Sequence, residues 1–299
     1  MPIKTILVAL TLADDSKQIA DRAVQLANQH GARLVGLHVI ENLSLDDAAL
    51  PPSVDADSLA ALIETQCTQQ LKALLAASDT PAVIHVEFGK SYEAIQVLAT
   101  FHNADLLVMG PGVAKSLREK VFGSTADRMV RTSPCPVLVV RTEPLSPYAH
   151  IVIGVDFSEH AQAAAWSSER ISPAALREFI HTVEIPLSFE QAMLKAGATQ
   201  IEIDHYRSAR VKAARMQIKQ LFANDGRLPK SARIKVVHGD PASVLLGASR
   251  RRGTDLVALG TQGAHAAAQH LLGSVARKVL ASSNCDVLVV PTTAIPETQ

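Results

Sequence analysis

Cysteine is scarce in this chain. Only Cys67, Cys135 and Cys285 occur in 299 residues, and no two form a CxxC pair. That excludes a disulfide framework and a cysteine-based zinc cluster, and fits a reducing compartment. Net charge is absent as well: 29 Lys and Arg balance 29 Asp and Glu. A bulk electrostatic case for nucleic acid or an anionic membrane is therefore missing. No apolar run approaches the length that spans a bilayer. The opening Met1-Pro2-Ile3-Lys4 runs straight into strand-like sequence, without a basic region, apolar core and cleavage site, so the expected location is the cytoplasm. The eleven histidines form no HExxH and no zinc-spaced pair. No nucleophile elbow or Ser-His-Asp order is present. What the chain does have is apolar residues, 47% of the total, enough for a packed core.

It also has an internal repeat. Residues 104–141 align without a gap onto residues 254–291 at an offset of 150. Asp105 falls on Asp255, Gly110 on Gly260, Gly123-Ser124 on Gly273-Ser274, and Cys135 on Cys285. Ile6–Leu10 parallels Ile151–Val155, and Val86–Gly89 parallels Val237–Gly239. A period of this size means a duplicated domain rather than a solenoid. The expected domains are 1–143 and 149–299, joined through Thr142–Ala149 with Pro144 and Pro147.

Each half alternates strands and helices. The first half predicts strands near 3–11, 33–40, 83–88, 104–110 and 136–141. The runs Ile6–Leu10, Leu106–Met109 and Val137–Val140 are continuously apolar, as in parallel strands buried on both faces. Helices are predicted over Ser16–His30, with Gly31 as its cap, over Asp57–Ala77 with Asp57 as N-cap, over Ser91–His102, and from Gly123-Ser124 onward. The second half repeats the plan, with its second strand at Glu178–Val183 and a helix at Tyr206–Ala223. Between them lies an insert, Glu184–Asp204, whose Pro186 and Gly197 permit a loop with a short helix. The fold class is α/β: two tandem Rossmann-like open parallel five-stranded sheets flanked by helices.

Ligands of open α/β sheets sit beyond the carboxyl ends of the strands. There the second half places Gly260 at a strand end, Gly263 in the following loop, and Gly273-Ser274 at a helix start. Glycines let backbone N–H groups approach an anion and turn through positive φ. A helix N-terminus adds free donors and partial positive charge. Ser274 can donate its hydroxyl to a phosphate oxygen or act only as a cap. Asp156 ends the first strand of the same half, where it can accept from a ribose or a base; capping of the next helix by Asp156 or Ser158 is the competing account.

Strand-Asp156-x-Ser158, then Gly239-Asp240-Pro241, then Gly260-x2-Gly263-x9-Gly273-Ser274, then Cys285-Asp286-Val287-Leu288-Val289-Val290 resembles the universal stress protein family. Two copies in one chain resemble its tandem members. The resemblance implies ATP, bound with magnesium, held by Asp156, Gly260, Gly263, Gly273 and Ser274, with the backbone of Thr182 or Val183 against adenine. It implies a stress-response or signalling role rather than rapid catalysis, and pairing of Val137–Val140 with Val287–Val290 as an intrachain pseudo-dimer. A protein partner and a further homodimer stay open. So do two other readings: a nucleotide-independent scaffold, and a slow ATPase or adenylating enzyme.

The first half departs from that pattern. Thr11 stands where Asp156 stands, Pro111 removes an N–H, and Val113 takes the place of Gly263. It is expected to bind nucleotide weakly or not at all and to be mainly structural. Other residues have simpler readings. His265 and His270 lie in the loop segment and read as solvent-exposed. His38 and His181 match across the repeat and read as packing or hydrogen-bonding groups. Arg250-Arg251-Arg252 reads as a solvated helix end, Arg118 and Lys120 as exposed charge, and Cys135 and Cys285 as core.

Overall fold

The computed structural model describes residues 2–41, 55–112, 123–144, 146–223, 232–263 and 271–294. The first repeat runs β1 (Thr5–Ala9), α1 (Ser16–His30), β2 (Arg33–Ile40), α2 (Ala56–Leu74), β3 (Val83–Phe88), α3 (Ser91–Phe101), β4 (Leu106–Met109), α4 (Ser124–Thr132) and β5 (Val137–Val139). The second runs β6 (His150–Gly154), α5 (Glu159–Ile171), β7 (Leu176–Val183), α6 (Leu187–Lys195), α7 (Gln200–Ala223), β8 (Arg233–His238), α8 (Pro241–Ser249), β9 (Leu256–Gly260), α9 (Ser274–Ser282) and β10 (Asp286–Val290).

The chain divides into two compact units, residues 1–147 with 286–299, and residues 148–285. In the first unit the order is β3-β2-β1-β4-β5-β10. Five of these strands are parallel, and β10 runs antiparallel to β5, pairing Val287 with Val139 and Val289 with Val137. The second unit orders β9-β6-β7-β8, all parallel. The inner strands carry the unbroken apolar runs, and Ile6, Leu7, Val8, Leu107, Val108, Val152, Ile153, Val257 and Ala258 are fully buried. β3 and β8 flank their sheets and contain no buried position, unlike the inner strands.

Most element ends follow from local chemistry. Gly31 closes α1 at φ +61°, in the left-handed region that its lack of Cβ allows. α2 begins earlier than expected. Asp55, not Asp57, is the N-cap, accepting from Ser58 N at 2.8 Å and Ser58 Oγ at 2.7 Å, while Asp57 sits in the first turn. The insert folds as α6 followed by an early start to α7. A capping box begins α7: Glu202 accepts from Thr199 N at 2.7 Å and Thr199 Oγ1 accepts from Glu202 N at 3.3 Å. Gly197, at φ +95°, makes the turn between the two helices. Arg207 then clamps Glu190 through two bonds of 2.8 and 2.7 Å, joining α7 to α6.

Repeated residues perform repeated work. Asp105 accepts from the backbone N of Lys4 and Thr5, at 2.8 and 3.1 Å, and Asp255 accepts from Ala149 and His150, at 2.8 and 2.9 Å. Each carboxylate thus ties the amino end of β4 or β9 to that of β1 or β6. Cys135 and Cys285 are both buried, each with Sγ 3.6 Å from the hydroxyl of Ser133 or Ser283. Arg251 is not a solvated helix end. It grips the buried carboxylate of Glu178 on β7, at 3.2 and 2.7 Å.

Asp286 secures β10 in the first unit. Its side chain is fully buried, and Oδ1 accepts from Arg141 N at 2.7 Å and from Thr142 N and Oγ1 at 3.0 Å each. Oδ2 lies 3.3 Å from Nε of buried Arg22 on α1, an ion-pair contact without hydrogen-bond alignment. Arg22 also donates to Ser146 O at 3.0 Å. Removing one member strands a buried charge, which costs about 3–5 kcal/mol, whereas replacing both by apolar groups is far milder. Asp286→Ala is therefore expected to lower unfolding free energy by about 3–5 kcal/mol in urea titrations followed by circular dichroism. Adding Arg22→Met should restore only the part due to the stranded guanidinium, since the Oδ1 acceptor of Arg141 N and Thr142 N stays missing. A single variant within about 1 kcal/mol of wild type would contradict the role given to this pair.

Candidate functional site

In the second unit the strand ends of β6, β7 and β9 converge beside the start of α9. β6 ends at Gly154, and the chain continues through Val155 and Asp156 into a left-handed Phe157, φ +66°. The same bend occurs at Leu12 in the first repeat, φ +60°. Asp156 Oδ1 accepts from Ser158 N at 3.1 Å and Ser158 Oγ at 2.6 Å. Ser158 in turn caps α5, accepting from Ala161 N at 3.1 Å. Ser158 is thus the cap of α5 and Asp156 Oδ1 braces it, while Asp156 Oδ2 lies 2.9 Å from where a Cβ on Gly263 would stand.

The glycines are required by space. None of Gly260, Gly263 or Gly273 has positive φ, which corrects the expectation that the loop turns there through left-handed backbone. A Cβ on Gly260 would lie 2.4 Å from His160 Cβ and 2.8 Å from its carbonyl carbon, so α5 packs directly on the end of β9. A Cβ on Gly273 would lie 3.2 Å from Thr261 O, the atom to which Gly273 N donates at 2.8 Å. That bond closes the neck of the loop. Gly273, not Ser274, is the N-cap of α9, and no side chain caps this helix. Ser274 is exposed and makes no hydrogen bond among the described residues. Its hydroxyl and the first-turn N–H groups are thus available to an anion. The first turn of α9 has no acidic residue.

A cavity of about 750 Å³ opens over this junction. Asp156, Thr182, Gly260, Gly263, Gly273 and Ser274 all line it. Val183 does not; it is buried and lines a smaller recess of about 140 Å³ with Phe157, His181 and Thr182. The His181 Nδ1 lies 2.7 Å from Val155 O, and His38 repeats this with Leu10 O at 2.9 Å. A carbonyl only accepts, so Nδ1 carries the proton in both rings. Each histidine ties the end of one strand to its neighbour, as the hydrogen-bonding reading expects. The Phe157 ring rests on His181 with centroids 4.5 Å apart. Two lining residues, Arg210 and Gln217 from α7, are ones that sequence reasoning does not single out. Their spacing of seven on one helix face is the available signal. Val113, Arg118, Lys120, His265 and His270 lie outside the described residues, and among those described no group of three or more His, Cys, Asp or Glu is placed to hold a metal.

The equivalent junction in the first unit differs in charge. Gly123 N donates to Pro111 O at 2.9 Å, so the neck of the loop is retained. Gly112 takes φ +80° beside Gly123, a turn with no counterpart in the second repeat, where Gln262 stands instead. Around it, Thr11 replaces Asp156, Asp15 replaces His160 against the first loop glycine, and Asp127 in the first turn of α4 replaces Arg277. Asp15 Oδ2 lies 3.1 Å from where a Gly110 Cβ would stand, and its other oxygen is buried without a hydrogen-bond partner among the described residues. The Asp15 carboxylate at the loop disfavours an anion, and the helix start carries Asp127, bridged to Arg131 at 2.7 Å, where α9 has no acidic residue.

The sequence profile of the Universal stress protein family matches residues 2–141 and again residues 147–291. The chain belongs to the universal stress protein family, as a tandem member. A Staphylococcus aureus protein assigned provisionally to the same family is 27% identical over 143 residues, 48% of this chain and 86% of its own length. Among solved structures, a universal stress protein from Archaeoglobus fulgidus superposes with a TM-score of 0.63 at 15% identity, covering 96% of this chain and 98% of its own. A protein of unknown function from Pseudomonas aeruginosa PAO1 gives 0.58 at 16%, covering 98% and 94%. At such identities these structures speak for the shared Rossmann-like α/β fold.

The site also sets a pH response. Burial pushes the His160 imidazole below its ordinary pKa, against opposition from Asp156 and Glu159. The unfolded chain then binds the proton more readily, so the stability His160 contributes is present above pH ~6.5 and lost as pH falls through its folded value. His160→Gln should flatten the decline in unfolding free energy between about pH 6.5 and 5 relative to wild type. An unchanged slope in urea titrations across that range would contradict the assignment.

Proposed function

We propose that the second unit binds ATP, and that the protein is a nucleotide-dependent stress-response protein whose first unit is mainly structural. The observation that carries this reading is the convergence of Gly260, Gly263, Gly273 and Ser274 with Asp156 and Thr182 around one cavity of about 750 Å³. That volume lies within the range of small-molecule sites, and its walls mix apolar side chains with a few polar groups, as such sites do. The residues fit the parts of a nucleotide. Backbone N–H groups of the loop and of the first turn of α9, with the Ser274 hydroxyl, would take the phosphates. Asp156 would accept from the ribose hydroxyls, and the end of β7 at Thr182 and Val183 would lie along the base. Magnesium would be held by the triphosphate oxygens and water, since this ion is usually bound through substrate phosphates with few protein ligands.

Binding of this kind acts on partners by favouring one conformation over another. Among the described residues no helix is long and apolar enough to cross a membrane, and we place the protein in the cytoplasm. The nucleotide-independent scaffold is the reading for the first unit, on the strength of Thr11, Asp15 and Asp127 around its loop.

Calorimetry on the full chain tests both statements. The wild type is expected to bind one ATP per chain. Gly263→Val should weaken binding at least about tenfold, because its Cβ would press on Asp156 Oδ2 at 2.9 Å. Equal affinity in the two proteins would remove the loop from the site. Two sites per chain would overturn the assignment of the first unit.

A further inference from the structure

α7 is the largest departure between the repeats. It is 24 residues long, is preceded by α6, and brings Arg210 and Gln217 to the cavity. Both residues also line the smaller recess, with Phe157, His181, Thr182 and Val183. None of the glycine-loop residues lines that recess. Arg210 therefore stands at the β7 end of the site, away from the anion-binding loop.

Its neighbours on the helix are engaged and it is not. Arg207 is held by Glu190 and Asp204, and Arg215 donates to Ile234 O at 3.2 Å. Arg210 is exposed and makes no hydrogen bond or ion pair among the described residues. Buried Ala214, between the two, and buried Ile218, next to Gln217, anchor α7 to the core while these two polar side chains, Arg210 and Gln217, stay exposed. Aligning buried Leu71 of α2 and its C-cap Leu75 with Ile218 and Phe222 of α7 places Ile63 in the first repeat where Arg210 stands in the second, and Gln70 where Gln217 stands. An aliphatic group has replaced the planar cation in the unit whose loop is unsuited to anions.

We propose that Arg210 is a base-end contact of the nucleotide, its guanidinium lying against the base while Gln217 reads the base edge. The inference rests on the nucleotide reading given above. With phosphates at the glycine loop, base and ribose must extend toward β7, where Phe157 forms an apolar wall backed by His181. A guanidinium is planar and weakly hydrated, and stacks on aromatic faces in a way an ammonium does not. A glutamine amide offers a donor and an acceptor together, the pair that an adenine edge presents in complement.

The test uses the full chain, ATP, and inorganic tripolyphosphate as a competitor against ATP. Arg210→Ala, an exposed helical position where alanine is well tolerated, should weaken ATP about three- to thirtyfold. It should leave the inhibition constant of tripolyphosphate unchanged. Arg210→Lys should recover only part of the loss. No loss in Arg210→Ala would overturn the inference while leaving the parent reading intact. An equal loss for tripolyphosphate, or full recovery by lysine, would make Arg210 a phosphate or point-charge contact and overturn it too. A wild type that binds no ATP, or whose ATP is not displaced by tripolyphosphate, would overturn the parent reading and this inference with it.

Discussion

A parallel sheet buried on both faces leaves its unmet backbone groups at the strand ends and along its edge strands. In this protein the polar groups that shape the site follow from that constraint. At the amino edge, Asp105 and Asp255 each gather two backbone N–H groups across neighbouring strands. At the carboxyl edge, His38 and His181 each bond a strand-end carbonyl. With those groups satisfied, the start of α9, which no side chain caps, leaves free N–H donors beside the ends of β6 and β9.

The two repeats share this frame and differ in what surrounds its open end. The neck of the loop is preserved, Gly123 N to Pro111 O and Gly273 N to Thr261 O. So is the left-handed bend at Leu12 and Phe157. Around these fixed points the charge changes: Asp15 against His160, Asp127 against Arg277, and Thr11 against Asp156. The left-handed bend and the loop neck are thus common to both repeats, while the side chains around them differ in charge and in what they pack against.

Much of the fold is legible in the sequence because its signals are local or repeated. Continuous apolar runs name the inner strands, Gly31 names a helix end, and the offset of 150 exposes the duplication. The errors have physical reasons too. Asp55 and Asp57 are both good caps, and only the Ser58 contacts separate them. The start of α7 is hidden although Thr199-x-x-Glu202 is a capping box, because Gly197 so close upstream signals a turn. Arg251 looks solvated because its partner, Glu178, is 73 residues away in sequence. Arg210 and Gln217 are invisible as site residues for the same reason: their helix reaches the cavity only through tertiary packing.

The loop glycines show how structure changes the meaning of a motif that sequence already finds. A glycine kept for positive φ would be damaged by any residue with a Cβ, in whatever surroundings. Gly260 and Gly263 instead have ordinary backbone and are short of room, the first against His160 and the second against Asp156 Oδ2. Their constraint is therefore set by neighbours rather than by their own dihedrals. It also runs in both directions, since the space at Gly263 is what lets Asp156 brace Ser158 with one oxygen and face the cavity with the other. Aspartate and glycine are in this sense one feature divided between the segment after β6 and the loop after β9, and the first repeat, having Thr11 in place of the aspartate, has no such reason to keep a glycine opposite it.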